Sequence, residues 1–305
     1  MPISRRDFLG ASVAGLSAAT LGPVPLLGQQ PPPPAKPTFS SIRGNVGTMI
    51  GRGGTIGWLI TGGGNVMVDT QFPDMASICQ QFLAQRSNKQ ELKAVINTHH
   101  HRDHTGGNAA VKEAARQIVG HHNVPRLLAQ AAASSTDTGA EAIVPPGTTF
   151  TNDWAVKVGH EEIELRHYGA AHTGGDAVVT FKNANVVHVG DLVFNRRHPF
   201  IDRAAGGSIE GWIQVLRRIV SDHTPETEYI FGHAGAGFAV RGREADVTHM
   251  RDYLLALQAH VGSAVKAGKS REQIVEQGGV LEGFRDHGPL NEHVLTAAYE
   301  EFTAR

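Results

Sequence analysis

The sequence predicts an α+β fold in which two mixed β-sheets pack face to face and helices cover their outer faces. Short, apolar, β-branched segments typical of strands occur in two groups along the chain of 305 residues. Segments with helical patterns accompany each group, and the chain from about residue 243 onwards is predicted to be helical. Two strand-rich halves, each with its own helices, indicate two facing sheets.

The first half places strands between glycine-rich turns and then adds helices. The segment Gly62–Asn65 is a hairpin-type signal between two of these strands. The predicted strands are Val46–Met49, Ile56–Thr61, Val66–Asp69, Leu92–Asn97 and Val119–His121. The predicted helices are Met75–Arg86, Gly106–Gln117 and Val124–Ala133. The polar, turn-rich segment Ser134–Pro146 is expected to be a surface loop.

The second half repeats this order and ends in helices. Its predicted strands are Val156–Val158, Ile163–His167, Ala177–Phe181 and Val186–Val189. A helix is predicted over Ser208–Val220, because Ser208 can cap its N-terminus and Glu210 is favourable in its first turn. The remaining predicted helices are Arg243–Ala267, Ser270–Gln277 and Leu290–Phe302.

A cluster of metal-ligand side chains is the most informative feature of the sequence. His99, His101, Asp103 and His104 all lie within the segment Asn97–Asn108. Imidazole and carboxylate groups are the ligands that zinc and similar divalent metals take. The cluster falls between a predicted strand and a predicted helix, where a rigid scaffold can present ligands at the end of a sheet. Alternation along an extended backbone puts His99 and His101 on one side. Asp103 and His104 follow where the chain turns, so they can face a second metal next to the first.

Three more ligand-type residues stand beside predicted strands. His172 lies in a glycine-rich turn just before an apolar strand. Asp191 closes the apolar run Val186–Gly190, and His233 closes the run Tyr229–Gly232. A site at the edge of a sheet would draw its ligands from such positions. The three residues therefore complete a candidate site for two metal ions.

The order of these residues resembles the metallo-β-lactamase-fold hydrolase superfamily. The resemblance covers about residues 39–239 and rests on five ordered blocks of sequence. The blocks are Val68-Asp69-Thr70, the His-x-His-x-Asp-His motif, the His172 loop, Gly190-Asp191 and Gly232-His233. The resemblance implies a four-layer αβ/βα sandwich, with the candidate ligands gathered at one metal centre.

The resemblance also implies a role for each candidate ligand. The residues expected to bind the first metal are His99, His101 and His172. The residues expected to bind the second metal are Asp103, His104 and His233. Asp191 is expected to bridge the two metals, and Asp69 to hold the metal-binding loop in place. The expected cofactors are two Zn²⁺ ions, with iron as the alternative metal.

Two adjacent cations imply a hydrolytic reaction. They lower the pKa of a shared water, and one of them polarises the carbonyl group under attack. The expected reaction is cleavage of a carbonyl C–N, C–O or C–S bond by a metal-bridging hydroxide. Asp191 is expected to fix the metal spacing and Asp103 to orient the hydroxide, which makes them the candidate catalytic carboxylates. The expected substrate is a small molecule, with β-lactams as one class, and His100, Arg102 and Phe194 are candidate pocket residues.

Two alternative functions within this fold stay open. An aspartate at position 191, where many β-lactamases carry cysteine, is similar to glyoxalase II and lactonase relatives, which cleave thioesters or esters. Phe194 stands where such β-lactamases carry a lysine that grips the substrate carboxylate. A mononuclear-iron persulfide dioxygenase shares the His-x-His-x-Asp-His pattern and would hold one iron ion instead of two zinc ions.

Net charge and cysteine content bear on the expected partners and on covalent cross-links. The net charge is −1 and the calculated pI is about 7.0, without a basic stripe, so nucleic acid is not an expected partner. Cys79 is the single cysteine, so an intramolecular disulfide is impossible. It lies in an apolar-periodic segment and is expected to be a buried structural thiol.

The N-terminus resembles a twin-arginine export signal. Arg5 and Arg6 precede an apolar run, Gly10–Leu27, that is rich in Ala, Ser and Gly. Such segments are removed from the mature protein. Pro23 and Pro25 interrupt the run, so no stable membrane span is expected in the mature chain.

The chain is accordingly expected to have three parts. Residues 1–30 would be the export signal, residues 31–38 a Pro-rich linker, and residues 39–305 the hydrolase domain. The expected partner is the twin-arginine export machinery. The expected location is the periplasm or another exported compartment.

Replacing Arg5 and Arg6 together by Lys tests the export signal. We expect the double variant to accumulate in the cytoplasm as uncleaved precursor, because the pathway reads the arginine pair. Immunoblotting of cell fractions measures this distribution. Arg217→Lys, far along the chain, should be exported as wild type, and normal export of the double variant would contradict the prediction.

Overall fold

The structure, a computed structural model, describes residues 36–134 and 143–304. These residues form two β-sheets that pack face to face with helices on the outer faces, which confirms the predicted fold class. The export signal expected over residues 1–30 and most of the linker expected over residues 31–38 lie outside the described residues. Within the described ranges, no helix is long and apolar enough to cross a membrane.

The first sheet follows chain order from one edge to the other. Its strands are β1 (Thr38–Arg43), β2 (Val46–Ile50), β3 (Ile56–Thr61), β4 (Gly64–Val68), β5 (Leu92–Ile96), β6 (Ile118–His121) and β7 (Thr148–Phe150). Neighbours from β1 to β4 are antiparallel, whereas β4 to β7 run parallel. Parallel strands bring their carboxyl ends to one edge, so the residues that follow β4 and β5 meet there.

The second sheet contributes its loops to the same site. Its strands and a small separate pair are β8 (Asp153–Val158), β9 (Glu161–Arg166), β10 (Val178–Phe181), β11 (Val186–His188), β12 (Phe194–Asn195), β13 (Glu228–Ile230), β14 (His233–Ala234) and β15 (Arg241–Gly242). The sheet order is β15-β13-β11-β10-β9-β8, and β12 pairs with β14. Strands β11 and β13 are parallel, so the residues that follow them also meet at one edge.

The helices form the two outer layers and the short turns around the site. They are α1 (Pro73–Arg86), α2 (Arg102–Thr105), α3 (Asn108–Val111), α4 (Val124–Ser134), α5 (Ile209–Asp222), α6 (Glu244–Lys266), α7 (Arg271–Gln277) and α8 (Glu292–Thr303). The prediction of one helix over Gly106–Gln117 is wrong, because only the short α3 lies in this segment, with turns on both sides. Gly107 packs against backbone before α3, and a Cβ would lie 2.5 Å from the carbonyl oxygen of Thr70. After α3 the chain returns to the first sheet, where Ala115 bridges Leu92, so the helix cannot continue.

Three apolar cores separate the four layers. The side chains of β4 show the arrangement: Val66 and Val68 join the core between the sheets, whereas Met67 joins the core beneath α1. On β10, Val179 faces the other sheet and Val178 faces the helical layer. Adjacent residues of a strand point to opposite faces, so both faces of each sheet are buried, as four layers require.

Cys79 belongs to the core beneath α1, which confirms the prediction of a buried structural thiol. Burial raises the pKa of this thiol far above its usual range. The side chain therefore acts as a small apolar group that packs α1 onto the first sheet.

A buried carboxylate fixes the N-terminus of α5. Glu301, on α8, is 8% exposed and accepts hydrogen bonds from the backbone amides of Ile209 (2.7 Å) and Glu210 (2.9 Å). The amide of Ser208 donates in turn to the carbonyl oxygen of Ala171 (2.8 Å), beside His172. The negative charge also suits the positive end of the helix dipole. Glu301 therefore links the C-terminal helix to the loop that carries His172.

Glu301→Gln is expected to lower the free energy of unfolding by about 1–2 kcal/mol, because a neutral amide is a weaker acceptor at the N-terminus of α5. Urea denaturation followed by circular dichroism measures the change. The matched control is Glu300→Gln, an exposed neighbour on the same helix. Equal stability of the two variants would show that the charge of Glu301 does not support α5.

Candidate metal centre

Five loops meet at one edge of the sandwich and carry Asp69 and all the predicted ligands. The loops after β4 and β5 come from the first sheet, and the loops after β9, β11 and β13 come from the second, with His172 in the loop after β9. Backbone hydrogen bonds join the sheets at this edge, from the Ala177 amide to Thr98 (2.7 Å) and from the Thr55 amide to Gly232 (2.9 Å). The fold thus places residues far apart in sequence within contact distance.

The residues predicted to bind the first metal lie together in the structure. The Nδ1 atom of His101 is 3.0 Å from Nε2 of His99 and 3.0 Å from Nε2 of His172. The Oδ2 atom of Asp191 is 3.6 Å from Nε2 of His172 and 3.9 Å from Nε2 of His99. One ligand atom from each of the four residues lies within 4.8 Å of the others.

The residues predicted to bind the second metal form an adjacent group. The Nε2 atom of His233 lies 3.1 Å from Oδ2 of Asp103 and 3.4 Å from Nε2 of His104. Asp191 reaches this group too, with Oδ1 at 3.0 Å from Nε2 of His104 and Oδ2 at 3.4 Å from Nε2 of His233. Asp191 therefore touches both groups. Its approach requires Gly232, where a Cβ would lie 1.9 Å from Oδ1 of Asp191.

The chemistry of this donor set fits metal ions. The Nδ1 atom of His101 faces Nε2 of His99 and Nε2 of His172. A single N–H hydrogen at Nδ1 could not satisfy both contacts. Oδ1 of Asp191 is buried and makes no hydrogen bond of good geometry, although Nε2 of His104 lies nearby. Divalent cations accept such converging imidazole and carboxylate ligands. The cluster can therefore hold metal ions.

Asp69 holds the metal-binding loop through a network of hydrogen bonds. Its carboxylate accepts from the Thr98 amide (2.8 Å), the Thr98 hydroxyl (2.7 Å) and Nδ1 of His104 (2.7 Å). The Thr98 hydroxyl accepts in turn from Nδ1 of His99 (3.0 Å). With their Nδ1 atoms engaged, His99 and His104 direct Nε2 to the centre. Asp69 has φ of 65°, a strained backbone conformation for a residue with a side chain.

Two further positioning groups were not predicted from the sequence. Asp202 accepts a hydrogen bond from Nε2 of His101 (2.9 Å), which leaves Nδ1 of that ring directed to the centre. The carbonyl oxygen of Phe200 accepts from Nδ1 of His172 (2.7 Å). Both groups lie in an irregular loop, and Asp202 is far from His101 in sequence. A lone aspartate between Ile201 and Arg203 carries no spacing signal, so only the folded chain reveals its partner.

The three residues predicted to border the pocket lie in different surroundings. Phe194 lines a cavity of about 680 Å³ next to the metal centre, where its ring stacks on His233 with centroids 5.3 Å apart. His100 is buried, with Nε2 at 3.6 Å from Asp202, and does not line this cavity. Arg102 is exposed and also lies outside the lining. The loop Phe194–Phe200 supplies most of one wall instead.

The two groups of candidate ligands differ in how their surroundings shift the pKa values of the histidines. Burial lowers the pKa of His172 to about 3, with a further contribution from His101. Burial would also lower the pKa of His233, but the Asp191 carboxylate and the hydrogen bond with Asp103 raise it to about 9. Burial opposes ionisation of Asp191, yet His104 and His233 hold its pKa well below the usual range. Without a cation, protons therefore reside on the second group of ligands.

A family comparison agrees with this geometry. The profile of the metallo-β-lactamase superfamily matches residues 50–233, which is more than half of the chain. This protein belongs to the metallo-β-lactamase superfamily. It is a hydrolase-like enzyme of that superfamily, with His and Asp clusters that can bind metal.

Individual relatives support the fold. The metallo-β-lactamase from Pontibacter korlensis is 19% identical, with a TM-score of 0.58, over 72% of this chain and 99% of that one. The DIM-1 metallo-β-lactamase is 17% identical, with a TM-score of 0.61, over 73% of this chain and 99% of that one. A curated relative, 2,4-dinitroanisole O-demethylase subunit alpha from Nocardioides sp. (strain JS1661), is 29% identical over 177 residues. That match covers 57% of this chain and 50% of the demethylase subunit, so it spans half of that relative's length.

Binding of Zn²⁺ to the metal-free protein at pH 7 is expected to release about one or two protons, because His104 and His233 must lose their protons to become ligands. The raised pKa of His233, about 9, gives the sign: apparent zinc affinity should rise as pH increases towards that value. Calorimetric titration in buffers of different ionisation enthalpy measures the release. Asp191→Asn should release fewer protons, and heats independent of the buffer would contradict the prediction.

Proposed function

We propose that the protein is an exported binuclear zinc hydrolase that cleaves a carbonyl C–N, C–O or C–S bond of a small molecule. The observation that carries this proposal is the position of Asp191, whose two carboxylate oxygens contact both groups of histidine ligands. A carboxylate in this position suits a pair of metals that share one ligand. A single metal could use Asp191 as a ligand, but it would not need the contacts of Asp191 with His104 and His233 in the second group.

Different residues of the candidate site would have different roles in the reaction. When bound, two zinc ions lower the pKa of a water and polarise the bond under attack. His99, His101 and His172 would hold one ion, and their other ring nitrogens are held by Thr98, Asp202 and the Phe200 carbonyl oxygen. Asp191 would keep the two ions at a fixed separation.

Asp103 is suited to orient the attacking water. Its side chain is 34% exposed, in contrast to the buried Asp191, so it can meet both the metal centre and the substrate. Burial raises its pKa, but the hydrogen bond with His233 and the charge of His104 lower it overall, so the group is ionised at neutral pH. An ionised carboxylate accepts a hydrogen bond from water and fixes its direction.

The cavity beside the centre indicates the shape of the substrate. The ring of Phe200 is 48% exposed in the cavity wall, lies 5.4 Å from the ring of His101, and stacks on His293 at 4.3 Å. Arg197 lines the same cavity and is exposed, without an ion-pair partner among the described residues. These features favour a substrate with a flat or apolar part and an anionic or strongly polar group.

β-Lactams satisfy this description, because they carry a carboxylate beside the reacting amide. The buried Phe194 cannot bind that carboxylate, so Arg197 would have to do so. Thioesters and lactones, the substrates of glyoxalase II and lactonase relatives, also contain a carbonyl that two metals can polarise.

Cleavage of an aryl ether is a second candidate function. The curated relative is named for removing a methyl group from 2,4-dinitroanisole, an electron-poor aromatic ether. The aromatic cavity wall formed by Phe194 and Phe200 would accept such a ring. This candidate rests on a relative of which half is matched, so it ranks below carbonyl hydrolysis.

Export completes the proposal. The arginine pair and the apolar run at the N-terminus support translocation by the twin-arginine machinery. An exported enzyme would meet β-lactams and other small molecules outside the cytoplasm.

The test is turnover of a substrate panel by the zinc-loaded protein, with and without chelator. The panel contains a chromogenic cephalosporin, a thioester, a lactone and 2,4-dinitroanisole. We expect chelator-sensitive turnover of at least one carbonyl substrate, and a loss of about 100-fold or more in Asp191→Ala, since that change removes the ligand common to both metals. Asp153→Ala, at an exposed aspartate, is the matched control.

Each alternative result is informative. Turnover of dinitroanisole alone would select the aryl ether candidate. One iron per chain, with no hydrolysis, would favour the persulfide dioxygenase. Full activity of Asp191→Ala would refute the binuclear centre.

A further inference from the structure

A second group of ligand-type side chains lies outside the metal centre, at the cavity wall formed by the C-terminal region. His249 is on α6, whereas Asp286 and His287 are in a short 3-10 turn, Arg285–His287. One ligand atom from each of these residues lies within 4.8 Å of the other two. Asp286 and His287 also line the cavity. The packing of the C-terminal segment on α6 therefore creates a His-Asp-His cluster.

Two nitrogen atoms in this cluster are buried without hydrogen-bond partners among the described residues. The side chain of His287 is only 1% exposed, and its Nε2 atom has no partner, while Nδ1 lies 3.2 Å from Asp286. Nε2 of His249 is likewise buried and unpartnered. Leaving buried polar atoms unsatisfied costs free energy, so native proteins rarely keep two together. A cation held by the cluster would take one ring nitrogen from each histidine as a ligand.

The protonation states suit metal binding. Burial lowers the pKa of His287 to about 4, and burial together with the charge of Arg196 lowers that of His249. Both rings are therefore neutral near pH 7 and have lone pairs available, as metal ligation requires. Burial raises the pKa of Asp286, but its hydrogen bond with His287 lowers it overall, so the carboxylate is ionised.

A nearby cation does not outweigh the negative charge of the cluster. Nε of Arg196 lies 2.8 Å from Asp286, and its Nη1 lies 3.4 Å from Asp246. Two carboxylates thus surround one guanidinium group, which leaves net negative charge for a dication. The position of Arg196 also holds Asp286 beside the two rings.

We propose that His249, Asp286 and His287 form a further metal site, separate from the metal centre, that binds a transition-metal dication such as Zn²⁺. Two neutral imidazoles and one carboxylate are a ligand set that zinc accepts, with water completing the coordination. The bound ion would tie α6 to the segment that contains His287, Asn291 and His293. Because these three residues line the cavity, the ion would fix the shape of its wall.

The number of zinc ions per chain tests this site. The full chain is purified in excess Zn²⁺ and gel-filtered, and its zinc content is measured by mass spectrometry. We expect about three zinc ions per wild-type chain, and about two in His249→Ala and in Asp286→Asn. The matched control is His260→Ala, a histidine on the same helix but outside the cluster, which should keep the wild-type number. Equal zinc content in all four proteins would overturn the proposal.

A second measurement separates this site from the metal centre. A variant with alanine at His99, His101 and His104 should still bind about one zinc ion, and that ion should disappear when His249→Ala is added. If the triple variant bound no zinc, the proposal would be overturned, and this result would not depend on which reaction the enzyme catalyses.

Discussion

The burial of Asp191 between two groups of histidines is the constraint on which the rest of the structure depends. A carboxylate deep in the protein is stable only when positive charge or a metal surrounds it. His104 and His233 supply that charge when the metal is absent, and they come from different sheets. The sandwich must therefore bring the edges of both sheets together. The parallel pairs β4-β5 and β11-β13 do so, because each sends its following loops to one edge.

Four of the five histidine rings at the centre are held by a group that plays no direct part in ligation. Asp69 and Thr98 direct His99 and His104, Asp202 directs His101, and a backbone carbonyl directs His172. These contacts choose which nitrogen of each ring faces inward, so the ligand geometry exists before a metal arrives. The strained backbone at Asp69 is the cost of this arrangement. Apolar packing on both faces of the two sheets supplies the stability that tolerates it.

Much of the fold and most of the ligands follow from local sequence patterns. The strands β2 to β5 and the helices α5 and α6 have apolar periods and caps that reveal them. The predicted ligands share a recognisable order beside strands. The two-residue strands β12 and β14 were missed because they are too short to show a period. The helix predicted over Gly106–Gln117 failed because tertiary pairing of Ala115 with Leu92 ends it after one turn. Phe194 was predicted as a pocket residue and lines the cavity, whereas Asp202 and the C-terminal part of the cavity wall were missed because they arise from packing between distant segments.

The buried thiol of Cys79 can report local unfolding of the layer that contains α1, because its reactivity depends on exposure to solvent. A thiol reagent can reach this side chain only when α1 separates from the first sheet, because the surrounding core excludes solvent. The rate of labelling would therefore report how often that outer layer opens while the remaining layers stay folded. Since α1 begins four residues after Asp69, the same opening would disturb the loop that directs His104. Thiol reactivity and the integrity of the metal centre are thus coupled through one helix.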